Sequence, residues 1–178
     1  MKKQFLLLAL PLLLSNQQSF QAAESGNVVV APHDRDLVVL QDDKLVSYQA
    51  AQFLKVPYII LYYGAGWCPD CRRFSPTLVQ AYNQQPKDRK RFEVLLISRD
   101  KTADGMLKFM KTEKMSWPAL AFEKVESAQD LNKYYSGHGI PCLSVINPNG
   151  KLLLQSKNDQ DATEILSDLQ KLLKQTGA

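Results

Sequence analysis

Two cysteines, Cys68 and Cys71, stand two residues apart in GAGWCPDCRRFSP (residues 64–76), behind Trp67 and ahead of a stretch with helical spacing. Such a pair can hold a metal, close a loop or exchange electrons. As a cross-link it would stabilise the chain little, because the entropic gain of a disulfide grows with the loop it closes. Structural zinc normally takes four ligands. Cys142 and His138 supply the two missing ones by count, although Gly139 and Pro141 work against the helical face that presents an i, i+4 pair. The redox alternative asks for a thiolate, which a helix entrance favours because its free N–H groups and dipole stabilise negative sulfur. Cys68 is then the candidate nucleophile, and Cys71, one turn further in, resolves the mixed disulfide.

Positioning these sulfurs requires a strand, a turn and a helix. YIILYY (58–63) is an unbroken apolar and aromatic run, as in a strand covered on both faces. Pro69 suits a first helical turn, and Phe74, Leu78 and Tyr82 share one helix face, with Pro76 expected to kink it. FEVLLIS (92–98) reads as a second central strand, followed by a helix across 103–112. Val28 to Val30 and Leu37 to Leu40 are short β-prone runs, and 46–55 has helical spacing. Ser127 is placed to cap a short helix that Gly137 stops, and residues 116–123 read as a loop entering an extended piece. CLSVIN and KLLLQS flank Asn147-Pro148-Asn149-Gly150, a hairpin signal, and Ile165, Leu166, Leu169, Leu172 and Leu173 stripe a closing helix. The fold class expected is α/β: a mixed central sheet with helices on both faces and chemistry at the carboxyl ends of the strands.

Four ordered motifs, WCPDCRRFSP, FEVLLISRD, KMSWPALAFE and YYSGHGIPCLSVINPNGKLL, resemble the thioredoxin superfamily and, within it, its tryparedoxin and nucleoredoxin branch. The resemblance covers roughly residues 37–175. It implies a thioredoxin fold and thiol-disulfide oxidoreductase activity, with Cys68 attacking and Cys71 resolving. Trp67 matches the tryptophan bordering the reactive sulfur, and Pro141 the cis-proline beside it. The Ile140 backbone would then pair with an extended substrate segment. The alternative function is a copper(I) or zinc carrier using the same cysteines, since soft thiolates suit copper(I). Copper carriers of this fold usually space their cysteines by three and carry a histidine motif not found here.

Cys142 departs from the family pattern, standing where Thr or another small residue is common. It is either a buried apolar cysteine or a third redox partner. Asp70 would oppose a thiolate on Cys68, or simply be solvated. Tyr62 occupies the place of a buried acid, with core packing and a hydroxyl hydrogen bond as its two roles. Trp117 belongs either to the substrate face or to the core.

The 178 residues are 45% hydrophobic, enough for one core-forming domain. Lys2 and Lys3, the apolar run Phe5 to Leu14, and Ala22 with Ala23 read as a cleavable signal peptide over residues 1–23. An irregular segment (24–36) and the thioredoxin-like domain (37–178) follow. The protein is expected to be exported, to the periplasm or beyond. Removing residues 1–23 takes away two lysines and no acid, lowering the formal charge from +4 to +2, too mild for a nucleic-acid partner. Protein disulfides and an upstream dithiol donor are the expected partners of a monomer that does not stay in the membrane. No nicotinamide or flavin motif is visible, so no cofactor is expected, and no bound metal.

Overall fold

The computed structural model describes residues 28–157 and 162–175; the proposed signal peptide lies outside them. Among the described residues seven strands form one sheet: β1 (Leu37–Gln41), β2 (Lys44–Ser47), β3 (Tyr58–Gly64), β4 (Phe92–Ser98), β5 (Ala119–Leu120), β6 (Cys142–Ile146) and β7 (Leu152–Gln155). Their spatial order is β2-β1-β5-β4-β3-β6-β7. Central β3 and β4 are parallel and joined through helix α1 (Pro69–Asn83), whereas β6 and β7 add an antiparallel hairpin beyond β3. The expected mixed α/β sheet is the observed one.

Both central strands are buried along their whole length, which explains their unbroken apolar sequences. Side chains alternate between two cores. Tyr62, Val94 and Leu143 face the core built with α1, α2 (Ala103–Thr112) and α4 (Ala162–Gln175). Tyr63, Leu95 and Cys142 face the other, which is closed by short 3-10 turns and the one-turn helix α3 (Gln129–Asn132).

The structure departs from the sequence reading mainly before β3. Residues 46–55 are not one helix: Lys44–Ser47 pairs with β1, and only Ala50–Lys55 turns, as a 3-10 helix. Asp42 and Asp43, with φ of 46° and 66°, make the tight connection between β1 and β2, since aspartate tolerates the left-handed region better than most residues. Val28 to Val30 form a turn rather than a strand. Ser127 does not cap α3; its hydroxyl donates to the Lys124 carbonyl, and the cap position is Ala128. The ambiguous segment after Trp117 supplies β5, which reaches both β4 and β1.

Candidate active site

Strand β3 ends at Gly64, and the three residues Ala65 to Trp67 carry the chain to Cys68, the N-cap of α1. Pro69 takes the first helical position, where its missing N–H leaves no bond unmade. The helix therefore opens with its unsatisfied N–H groups beside the Cys68 sulfur. One of them, on Cys71, donates to Cys68 Sγ at 3.4 Å, the contact by which a helix terminus supports negative sulfur.

All three cysteines are free thiols. Cys68 is 5% exposed and Cys71 fully buried, so the second cysteine lies deeper than the first. Burial pushes the Cys71 thiol well above its ordinary range. Tyr62 sits below this pair. Its hydroxyl shares a 2.9 Å hydrogen bond with Ser75 Oγ, which donates to the Cys71 carbonyl at 2.8 Å. Burial first, and the neighbouring Cys71 second, also raise the Tyr62 phenol. A neutral phenol that donates but does not ionise is the result, so Tyr62 combines core packing with hydrogen bonding.

Opposite the helix, the Ile140-Pro141 peptide bond is cis, and the Cys68 thiol donates to the Ile140 carbonyl at 3.4 Å. Trp67, 55% exposed, forms the other wall. Its indole N–H donates to the Arg99 carbonyl at 3.0 Å, which ties the ring to the end of β4 while much of it stays exposed. A cleft of about 440 Å³ extends from Trp67 past Arg72, Asp100 and Lys108 over Phe109. A second, of about 360 Å³, lies between Pro141, Asp70 and α4. Trp67 lines the first groove and Asp70 the second, so the two grooves flank the segment that carries Cys68. The structure brings together all five residues singled out from the sequence: Cys68, Cys71, Trp67, Ile140 and Pro141.

Other candidates separate. Cys142 pairs with Tyr63 across the β3–β6 ladder and faces the second core, 1% exposed, with Ser136 Oγ at 3.5 Å. Cys68 and Cys71 belong to the first core; the sheet lies between them and Cys142. The proposed zinc quartet is thus divided, and no group of three or more metal-ligating side chains occurs among the described residues. Trp117 is fully buried and packs edge-on against Tyr82 at 5.4 Å, which places it in the core. Asp70 is exposed and paired with Arg73, so its charge is partly matched within α1.

Ser98, Arg99 and Asp100 close the motif FEVLLISRD, which by itself assigns them no role. Asp100 accepts from the Gly66 amide at 3.0 Å and from the Ser98 hydroxyl at 2.9 Å, holding the loop that carries Trp67. Burial raises its carboxyl, with the Ser98 and Gly66 hydrogen bonds opposing. Their position just past the carboxyl end of β4 was the available signal, since parallel sheets gather their chemistry there.

With this geometry in hand, the chain can be set beside known proteins. The family described as Thioredoxin-like matches residues 57–152. Nucleoredoxin from Xenopus laevis is 28% identical over 121 residues, 68% of this chain and 28% of that protein. Tryparedoxin from Trypanosoma brucei brucei is 33% identical over 110 residues, 62% of this chain and 72% of that one. The solved structure of tryparedoxin II from C. fasciculata superposes with a TM-score of 0.63 at 27% identity, covering 83% of this chain and 90% of that one. This chain spans about a quarter of the length of the nucleoredoxins it matches. The family match alone extends over more than half of the chain, and the chain belongs to the thioredoxin-like family.

Proposed function

We propose that this protein is an exported thiol-disulfide oxidoreductase acting on protein disulfides. The observation that carries the reading is the Cys68 sulfur at the open end of α1, between the Cys71 amide and the Ile140 carbonyl beside cis-Pro141. Loss of the Cys68 proton frees the Ile140 carbonyl and leaves a sulfur anion facing the helix N-terminus.

In the reducing direction, the Cys68 thiolate attacks one sulfur of a substrate disulfide. The substrate S–S bond breaks, a Cys68–substrate disulfide forms, and the departing thiolate takes up a proton. Cys71 then loses its proton and attacks Cys68 Sγ. This forms the Cys68–Cys71 disulfide and releases the second substrate sulfur, so two electrons have passed to the substrate. Burial of Cys71 keeps it protonated until the mixed disulfide has formed, and the Tyr62 hydroxyl supports the charge it then carries. An upstream dithiol restores the starting state by the same two steps in reverse.

The charged and apolar residues 2–14 support export, and the mild net charge fits a protein substrate rather than nucleic acid. The test is turnover of a cystine-bridged peptide with dithiothreitol as electron source. Catalysis above dithiothreitol alone, lost on Cys68→Ser, is expected; a rate equal to the uncatalysed one contradicts the activity.

A further inference from the structure

Arg99 follows β4 and reaches both walls of the active site. Its carbonyl holds the Trp67 indole at 3.0 Å, and its own amide donates to the Gly64 carbonyl at 2.8 Å. Its guanidinium turns the other way, 4.7 Å from the ring of Tyr135 and 5.3 Å from that of Tyr63, with Nη2 donating to Asn132 Oδ1 at 2.9 Å. The two rings are themselves packed at 5.2 Å. Tyr135 in turn accepts the Gly139 amide on its hydroxyl at 3.2 Å. Gly139, at φ 111°, adopts a backbone that only glycine takes easily, and leads directly into Ile140 and Pro141.

We propose that Arg99 is a positioning residue that couples the Trp67 wall to the Ile140–Pro141 wall, setting the spacing between the two, on either side of Cys68, where an extended substrate segment docks. The inference rests on the disulfide-exchange reading above. Backbone contacts on the Trp67 side and side-chain stacking on the Tyr135 side meet in one residue, so the two walls share one anchor. A half-buried guanidinium suits this role because a planar cation stacks on aromatic faces while still donating sideways to Asn132. Its Nε is buried without a hydrogen-bond partner, a cost that surface placement would have avoided.

The variants are Arg99→Met, which keeps the stem and removes the cation, Arg99→Lys, which keeps a cation without the plane, and Tyr135→Phe, which removes only the hydroxyl. Amide and indole hydrogen exchange by NMR reads the coupling without reference to activity. In Arg99→Met the Trp67 indole N–H and the Gly139 amide should both exchange faster, by about fivefold or more, while core amides such as that of Ile60 keep their protection. Arg99→Lys should fall between Arg99→Met and the parent. A response at one wall only, or equal acceleration in the core, overturns the coupling.

Kinetics supplies the second arm. KM for a cystine-bridged peptide should rise about tenfold in Arg99→Met, with a smaller change for bis(2-hydroxyethyl) disulfide, which has no strand to dock. Tyr135→Phe should shift the peptide KM the same way, and the double variant should fall short of additivity. Equal losses on both disulfides, or strict additivity, overturn the proposal. Absence of turnover in the parent protein would instead count against the oxidoreductase reading, and exchange would still decide the coupling.

Discussion

The Cys68 sulfur lies 3.4 Å from the carbonyl oxygen of Ile140, a residue 72 positions further along the chain. The contact joins the start of α1 to the segment entering β6, and it exists because β3 and β6 are paired neighbours in the sheet. Cys68 approaches from the end of one strand and Ile140 from the beginning of the other, so antiparallel pairing brings them to the same edge. Everything proposed for the site depends on that meeting.

Removal of the inner sulfur should stall exchange halfway. Cys71→Ser is expected to accumulate a mixed disulfide between Cys68 and a cystine-bridged peptide, visible by intact mass under non-reducing conditions, with turnover down by about 10³-fold or more. Trapping on Cys142, or undiminished turnover, would assign the resolving step elsewhere.

Alkaline pH should destabilise the reduced protein. The folded-state pKa of Cys71 is raised above its ordinary 9.0, and those of Tyr62, Tyr63 and Tyr82 above 10.0, in each case chiefly by burial. Above those ordinary values the unfolded chain releases protons that the native state retains, so stability is full below pH 9 and falls as pH rises. Each such group contributes a slope of up to about 1.4 kcal/mol per pH unit. Thermal melts of the reduced protein from pH 7 to 11 measure the decline, and Cys71→Ala should make it shallower between pH 9 and 10. A flat profile through pH 11 contradicts the assignment.

Tyr62→Phe deletes one hydroxyl from the buried pair with Ser75 while leaving the ring packed on Phe74 and Phe109. A loss of about 0.5–1.5 kcal/mol in denaturant unfolding is expected, together with slower resolution of the mixed disulfide in rapid-quench experiments. Unchanged resolution kinetics would reduce Tyr62 to a packing residue.

Cys142 should resist alkylation in the native protein and react only in denaturant, because it is turned toward the second core. Cys142→Ala should leave the Cys68–Cys71 equilibrium where it was. Native labelling of Cys142, or its recovery in a disulfide with Cys68, would mean that the sheet does not separate them.

How much of this was legible beforehand follows the physics of each element. β3, β4 and α1 carry dense local signals, namely apolar runs buried on both faces and a stripe spaced by four, and they appear where their periodicity places them. The β1–β2 connection was missed because two aspartates at positive φ replace the usual asparagine-glycine. Only pairing with β1 makes a strand of Lys44–Ser47. The cysteine pair and Pro141 were readable as motifs. Arg99 was not, since its contacts are with Tyr63 and Trp67 at the end of β3 and with Tyr135, all distant from it in the chain.

The most direct test of the central claim is to equilibrate the purified protein in graded thiol/disulfide buffers, trap free thiols and map them by mass. The account predicts one two-electron transition in which Cys68 and Cys71 pair with each other while Cys142 remains a thiol. Cysteines 68 and 71 that stay unchanged across the whole range, or that pair with any other sulfur, would contradict it.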